Sequence, residues 1–450
     1  MKKINFTIVI FLVYFFTLNI QGFAQDNTSK INEYMQVEIN RFHFRGTILI
    51  SQGDKVSFSK GYGMANEETG TPNDLHTKFR IGSITKQFTA MAIVMLQEKG
   101  KLNFQAPIST YLDEYPIAWQ DITIHHLLTH TSGIADFTRD PDYKTAMRST
   151  FTVNDLIARF KDKPLTFKPG YTFDYSNSNY ILLGHIIEKV SGMPYEQYLQ
   201  KYIFSPLKME NTGYDHNEKI LLHRASGYTL KKDIVINAPF VDMSIPFSTG
   251  GLYSTVEDLL VWDKALYTDR LVSKKGLEAM FTPVKMDYGY GWTIDSLNHH
   301  KCIRHGGWMI GFNNSIMRFP DEKMTIIVLS NIDSISANTI ARDLAAILFG
   351  EKYVDEKIAE GFKLNTHTQQ TYIGQYEVFP DLIVTICKED NKLIGKITGY
   401  PEIELKPLSE EEFYAKEVDA RIFFIKDGEH KVIQMNIQID DWKKEAKKIK

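Results

Sequence analysis

The stretch from Lys86 to Lys99 places the strongest constraint on the fold, because it is apolar on nearly every side. Alanine, methionine, leucine and glutamine dominate it, and Gly100 follows as a typical helix C-terminal residue. A helix that lacks a polar face must be covered by other elements. The sequence therefore predicts a buried helix within the main domain.

Strand patterns lie at both ends of the main domain and enclose a helical middle. After a first helix at residues 29–42, the runs Gly46–Ser51 and Val56–Tyr62 predict a hairpin. Helical patterns follow between Pro107 and Met243. The remaining predicted elements are the strands Tyr290–Ile294, Lys301–Arg304, Asn314–Phe319 and Met324–Ser330 and a closing helix, Ala337–Phe349. This order predicts an α+β fold for residues 25–350, an antiparallel sheet flanked by helices with an inserted helical subdomain.

A smaller domain is predicted after residues 351–367, a polar stretch that we interpret as a linker. Residues 368–450 carry short strand patterns separated by turn residues. The predicted strands are Leu382–Cys387, Leu393–Ile397, Glu412–Ala415, Arg421–Ile425 and Val432–Ile439. The pattern is typical of a small all-β domain, and we interpret the lysine-rich C-terminal end as a solvated tail.

The amino terminus has the pattern of a secretory signal peptide. Two lysines precede an apolar run to about Ile20, and Gly22 and Ala24 supply the small residues of a cleavage site. We therefore predict removal of residues 1–24 and export to the periplasm or the medium, with no stable membrane span after cleavage. An uncleaved anchor is the alternative, because the run is nearly long enough to cross a bilayer.

Charge and missing motifs exclude several functions. The net charge is −3, so no basic field is available for a nucleic acid, and a small-molecule or peptide substrate is the expected partner. The chain has no H-E-x-x-H, C-x-x-C, Walker loop or nucleophile elbow. His126 and His130 lie four residues apart, but no third ligand is spaced with them. The sequence predicts neither a metal site nor an organic cofactor.

The strongest chemical signal is Ser83-Ile84-Thr85-Lys86, at the start of the predicted buried helix. Residues three apart project from one helix face, so the serine and the lysine are expected to be neighbours. A serine hydroxyl needs a base before it becomes a good nucleophile, and a desolvated lysine can act as that base. The alternative is a serine N-cap with an ordinary surface lysine.

Two further clusters could complete such a site. Tyr175 and Asn177 flank one small residue, and a phenol beside an ammonium can carry protons. His305 precedes Gly306 and Gly307, which would let a substrate backbone lie close to a strand end. Taken alone, each cluster also fits a structural interpretation, as a turn with a core tyrosine or a strand-end histidine.

Together these motifs resemble class C β-lactamases and the related penicillin-recognising D,D-peptidases and esterases. Ser83-x-x-Lys86, Tyr175-x-Asn177 and His305-Gly306-Gly307 fall in that family's order, and residues 127–133 and 250–254 also look like family signatures. The resemblance covers about residues 31–350. It implies a β-lactamase/transpeptidase-like fold, and the C-terminal part more weakly resembles a lipocalin-like β-domain.

The resemblance also implies roles for individual residues. Ser83 would form the acyl-enzyme, Lys86 and Tyr175 would share the acid–base work, and Asn177 would orient the lysine and the substrate. The backbone N–H groups of Ser83 and Trp308 would form an oxyanion hole. His130 and Ser132, in the first signature, are interpreted as structural.

One departure from the family pattern affects the expected substrate. Class C β-lactamases usually have Lys-Thr-Gly where this chain has His305-Gly306-Gly307. A histidine is mostly neutral at neutral pH, so attraction for a substrate carboxylate should be weaker, although some peptidases of the family carry a histidine here. The sequence therefore predicts a serine hydrolase for esters, amides or D-residue peptides. The alternative is a non-catalytic envelope module that binds a cell-wall peptide or lipid.

Overall fold

The computed structural model describes residues 27–40, 42–231, 234–297, 299–353, 361–379, 382–397, 402–415, 418, 420–439 and 442–450. The predicted signal peptide, residues 1–24, lies outside the described residues, and so do residues 354–360 of the predicted linker. The chain forms two compact units that divide between Leu344 and Ala345. Among the described residues, no helix is both long and apolar enough to span a bilayer.

The first unit is built on a six-stranded antiparallel sheet. Its strands are β1 (Gly46–Gln52), β2 (Lys55–Tyr62), β3 (Thr293–Leu297), β4 (His300–Met309), β5 (Phe312–Phe319) and β6 (Met324–Ser330). The order across the sheet is β3-β4-β5-β6-β1-β2. β1 pairs with β6 from Gly46 opposite Ser330 to Gln52 opposite Met324. The expected sheet made from both ends of the domain is therefore confirmed.

Helices and short turns cover this sheet and fill the middle of the unit. Small two- and three-stranded sheets lie among them, made of Met64–Asn66 with Thr71–Pro72, Phe79–Arg80 with Leu252–Ser254 and Gly213–Tyr214, and Tyr228–Lys231 with Ile234–Asn237. The helices are 27–40, Thr85–Glu98, Ile124–Leu128, Tyr143–Ala146, Val153–Ala158, Asn177–Ser191, Tyr195–Leu199, Ser205–Leu207, Phe247–Gly250, Val256–Ala265, Lys274–Met280 and Ala337–Phe349.

The helix Thr85–Glu98, called here the central helix, lies in the core of the first unit. Every residue from Thr85 to Leu96 is buried. Phe88 packs against Trp262 with ring centroids 4.4 Å apart and against Phe204 at 5.5 Å. The apolar pattern of this stretch is thus explained by packing on all sides, and the core holds the start of the helix in place.

The short helix Phe247–Gly250 packs closely against the helix Asn177–Ser191 at Gly184. A Cβ on Gly184 would lie 2.1 Å from Ser248 Oγ, so only glycine permits this approach. Ser248 Oγ donates a hydrogen bond to the carbonyl of Tyr180 at 2.7 Å, and its own carbonyl accepts one from Thr89 at 2.7 Å. The short helix Phe247–Gly250 is therefore fixed between the central helix and the helix Asn177–Ser191.

Several predicted boundaries differ from the structure, and two of the differences have a local structural reason. The helix expected from Tyr180 begins at Asn177, because Ser176 is its extended N-cap residue. The strand expected from Tyr290 begins at Thr293. Gly291 has a φ of +76°, and a Cβ there would lie 2.8 Å from the Lys86 carbonyl oxygen. That segment is a turn packed on the central helix, which the apolar pattern did not reveal.

The second unit begins within the helix Ala337–Phe349 and contains a closed eight-stranded antiparallel barrel, as expected for a small all-β domain. A helix, Thr366–Tyr372, precedes the strands. The strands are Gly374–Phe379, Leu382–Glu389, Lys392–Lys396, Ile403–Pro407, Glu412–Ala415, Ala420–Lys426, Val432–Ile439 and Trp442–Lys448. The interpretation of the C-terminal end as a solvated tail was wrong, because Trp442–Lys448 pairs with two neighbouring strands and closes the barrel. Its many lysines hid a strand in which Ala446 is fully buried.

Candidate active site

Ser83 lies in a single 3-10 turn, Gly82–Ile84, that leads directly into the central helix. Gly82 has a φ of +54°, a left-handed conformation that favours glycine. The N-cap residues of this turn and of the helix that follows are Ile81 and Ile84, so Ser83 is not a capping residue of either. Instead, its Oγ accepts a hydrogen bond from Lys86 Nζ at 2.9 Å. The serine is therefore held for contact with the lysine rather than for helix capping.

Lys86 has a fixed set of three hydrogen-bond partners. Its Nζ lies 2.9 Å from Ser83 Oγ, 2.9 Å from Asn177 Oδ1 and 3.0 Å from the Thr249 carbonyl oxygen. The amide oxygen and the carbonyl oxygen can only accept, so each takes one N–H of the amine. A neutral amine would then direct its lone pair towards Ser83. The arrangement leaves the serine as the one partner with which a proton can be exchanged.

The surroundings of Lys86 favour that neutral form. The side chain is fully buried, and burial lowers the pKa of Lys86 to about 7 from its ordinary 10.5, against an opposing effect of the Asp136 charge. The amine lies 4.9 Å from the ring centroid of Tyr175 and 5.6 Å from that of Tyr180. A substantial fraction of the lysine is thus unprotonated near neutral pH.

Asn177 is held from behind by a turn that the sequence did not single out. Its Nδ2 donates to Asp136 Oδ2 at 3.2 Å and to Thr138 Oγ1 at 3.3 Å. Asp136 is 8% exposed, and its Oδ1 also accepts from the Thr138 N–H at 3.1 Å. These contacts orient the amide oxygen of Asn177 towards Lys86.

Tyr175 stands beside the lysine and is fixed through its backbone and its ring. Arg139 Nη2 donates to the Tyr175 carbonyl at 2.9 Å, and Arg139 also makes two hydrogen bonds to Asp174. The buried ring of His130 packs on Tyr175 with centroids 4.2 Å apart. His130 Nδ1 accepts from the Ser176 N–H at 3.1 Å, which places the imidazole proton on Nε2. His130 therefore supports the tyrosine turn.

The third cluster lies on the edge of the sheet next to Ser83. β3 pairs with β4 only as far as Arg304, whereas β5 pairs with it as far as Met309. A Cβ on Gly307 would lie 2.0 Å from the Ile81 carbonyl oxygen, and one on Gly82 would lie 2.8 Å from the Trp308 carbonyl oxygen. Glycine at both positions allows the two backbones to touch. The backbone of Trp308 is thus brought beside the serine turn, while its indole is 59% exposed.

His305 belongs to this edge, but its ring is engaged within the protein. It is 4% exposed, with Nδ1 2.6 Å from the Gly306 carbonyl oxygen and Nε2 3.0 Å from the Tyr288 hydroxyl. Because a carbonyl can only accept, Nδ1 carries a proton, whereas the Tyr288 hydroxyl can either donate to Nε2 or accept from it. Its ring centroid is 6.3 Å from that of Tyr175. Both ring nitrogens of His305 are therefore bonded within the protein instead of being aimed at a substrate.

Sequence reasoning singled out Ser83, Lys86, Tyr175, Asn177 and the His305–Trp308 edge, and the structure brings these elements together. It missed Asp136, Thr138, Thr249 and Tyr288. Only Thr249 had a nearby signal, because it directly precedes the Gly250-Gly251 motif.

The chain is similar to known proteins of the family that its motifs resemble. The family described as Beta-lactamase matches residues 33–351. A relative from Bacillus subtilis, "Penicillin-binding protein 4*", is 30% identical over 85% of this chain and 90% of its own length. A solved structure of an octameric penicillin-binding protein homologue from Pyrococcus abyssi covers 93% of this chain and 99% of its own, with a TM-score of 0.68 and 28% identity. A D-stereospecific amidohydrolase from a Streptomyces species aligns with a TM-score of 0.60 and 26% identity, over 69% of this chain and 95% of its own.

Proposed function

This chain belongs to the beta-lactamase family of serine hydrolases, and we propose that it hydrolyses an ester or amide through an acyl-enzyme on Ser83. One observation carries the proposal. Lys86 Nζ is 2.9 Å from Ser83 Oγ, while its other two contacts are acceptors that cannot supply a proton. A base so placed can take the hydroxyl proton as the serine attacks.

The residues around this pair supply the remaining steps. Ser83 Oγ bonds to the substrate carbonyl carbon as its proton moves to Lys86, and the backbone N–H groups of Ser83 and Trp308 bind the oxyanion. The proton then passes through Tyr175 to the leaving alcohol or amine as the C–O or C–N bond breaks. Water attacks the acyl carbon with Lys86 again accepting a proton, and Ser83 is released with its hydroxyl restored. Asn177 keeps Lys86 in place throughout.

The contacts beside β4 favour substrates without a carboxylate there. Both nitrogens of the His305 imidazole are bonded within the protein, and the neighbouring Arg304 is paired with Asp295 at 2.8 Å. Neutral esters, amides and D-residue peptides therefore fit better than β-lactams. The similarity to a D-stereospecific amidohydrolase and to penicillin-binding proteins supports D-residue substrates. The predicted signal peptide supports export to the periplasm or the medium, where such peptides occur.

Covalent labelling tests the proposal. A fluorophosphonate should add one adduct to the intact protein, and peptide mass spectrometry should locate it on the peptide that contains Ser83. A control hydrolase labelled in the same experiment shows that the reagent is active. An unlabelled protein under these conditions contradicts the proposal, and a cell-wall peptide bound to unmodified Ser83 would favour a binding module.

The pH dependence of turnover follows from Lys86. Because the base must be neutral, kcat/KM for a chromogenic ester should rise with pH to a plateau, with a midpoint near the lysine pKa of about 7. Stopped-flow or plate assays at constant ionic strength from pH 5.5 to 9 measure this limb. A rate that is flat over this range would contradict the assignment of Lys86 as the base.

A lysine in place of His305 should change substrate selectivity. His305→Lys would place a cation at the sheet edge, so the rate for an ester with a carboxylate should rise relative to its neutral analogue, on the order of tenfold. The ratio of kcat/KM for the two esters measures the effect. His300→Lys is the matched control, because His300 lies at the far end of the same strand beside Glu322. An equal change in both variants would show that His305 does not influence the substrate.

A further inference from the structure

The turn at Asp136–Arg139 contacts the serine–lysine site at several points, yet the proposed mechanism gives it no role. Asp136 and Thr138 accept both contacts of the Asn177 amide nitrogen. Arg139 holds the carbonyl of Tyr175. The turn therefore contacts both Asn177, at the start of the helix Asn177–Ser191, and Tyr175, just before that helix. Both residues lie beside Lys86.

The acceptors on this turn determine which way the Asn177 amide faces. An asparagine amide has one accepting and one donating end, and the two orientations have nearly the same shape. In the reversed orientation, the amide oxygen would face the Asp136 carboxylate and the amide nitrogen would face Lys86. Both contacts would then be lost, so the carboxylate selects the orientation in which the oxygen binds the lysine.

Asp136 also acts on Lys86 through its charge. Burial raises the pKa of Asp136, while the Thr138 backbone, Arg139 and Lys86 oppose that shift. The Asp136 charge in turn raises the pKa of Lys86 and so limits the effect of burial. The other ionisable groups around the amine are the following: Tyr175 and Tyr180, whose rings lie beside it, the neutral His130 packed on Tyr175, His305 beyond that ring, and Arg139 on the same turn as Asp136.

We propose that Asp136 is a positioning residue of this site: its carboxylate fixes the orientation of the Asn177 amide that holds Lys86. The inference rests on the proposed hydrolase function. Asp136 contacts neither the serine nor the substrate in this scheme, and it acts through Asn177 and through the field at the lysine.

The pH profile of Asp136→Asn and Asp136→Ser tests this role. Both replacements keep an N-cap side chain for the turn but remove the charge. The midpoint of the rising limb of kcat/KM should move to lower pH by roughly one unit, because Lys86 loses a favourable partner. The plateau should fall on the order of tenfold to a hundredfold, because the uncharged side chain no longer fixes the orientation of the Asn177 amide. If either variant has the melting temperature of the wild type, it is folded, and its pH profile is sufficient to test the role of Asp136.

Thr138 on this turn and Asp140 directly after it serve as controls. Thr138→Val removes one acceptor of Asn177 without a change of charge, so the plateau should fall but the midpoint should stay. Asp140→Asn removes a charge that pairs with Arg159 and Lys163 instead, so both should stay. An active wild type with an unmoved midpoint in the folded Asp136 variants would overturn this inference alone. An inactive, unlabelled wild type would overturn the proposed function.

Discussion

Ser83→Ala is expected to reduce turnover of every substrate by about 10⁴-fold or more while leaving the fold intact. The hydroxyl supplies the nucleophile of the acylation step in the proposed reaction, and alanine cannot form the acyl-enzyme. Ser83 is not the N-cap residue of its turn or of the central helix, so loss of its hydroxyl removes no helix cap. Initial rates with a chromogenic ester and a thermal melt of the same sample measure both results.

Ser273 offers a matched control for this variant. It also begins a helix, but its Oγ caps that helix by accepting from the Gly276 N–H at 3.2 Å and donates to Glu98 at 2.5 Å. Ser273→Ala should therefore lower the free energy of unfolding by about 1 kcal/mol and leave turnover unchanged. Ser83→Ala should thus lose activity and keep stability, whereas Ser273→Ala should lose stability and keep activity.

Residual activity decides the outcome for Ser83. If Ser83→Ala retains more than a few per cent of the wild-type rate after repurification, another nucleophile carries the reaction. If activity and melting temperature fall together, the loss reflects unfolding, and the variant does not support an acyl-enzyme at this position.

The parts of the site that the sequence predicted are those set by local geometry. Ser83 and Lys86 are three residues apart at the start of an apolar helix, so their proximity follows from the helix itself. Tyr175 and Asn177 are likewise two residues apart in one turn. That these two segments meet in the fold was predicted only from their resemblance to a family. The spacing of residues within one segment gives no information about the position of the other segment.

The parts that the sequence missed depend on tertiary contacts. Asp136 lies 41 positions from Asn177, and only the folded chain brings its carboxylate to the amide. In the sequence it looks like any aspartate that begins a turn. Tyr288 is similar, because nothing in its neighbourhood indicates that its hydroxyl meets His305.

The C-terminal barrel was predicted as an all-β domain, but its last strand was missed for a different reason. Five of its eight strands have clear apolar patterns, but Trp442–Lys448 is rich in lysine and was taken for a tail. Lysine can lie on apolar surface, as the ammonium of Lys444 does 4.3 Å from the ring centroid of Phe379. Hydrophobic alternation therefore underestimates strands at a surface where lysine replaces apolar residues.

Lys86→Arg and Lys86→Met are expected to lower kcat/KM about 10²–10⁴-fold, the usual contribution of a general base. Arginine keeps the positive charge but does not lose its proton in the accessible pH range. Raising the pH should therefore fail to restore activity in Lys86→Arg, whereas the wild type reaches its plateau above pH 7. Lys99→Met, at the exposed end of the same helix, should behave like the wild type.

The same lysine makes a separate prediction about stability. Its pKa is about 7 in the folded protein and near 10.5 when solvated, so between these values the unfolded chain binds more protons than the native one. Stability attributable to Lys86 must then rise with pH across this window, because the native state no longer holds a buried ammonium. Urea unfolding at pH 7 and pH 9.5 should show a larger gain for the wild type than for Lys86→Met. Equal gains in both proteins would mean that the amine is not desolvated, and the low-pKa base would lose its physical cause.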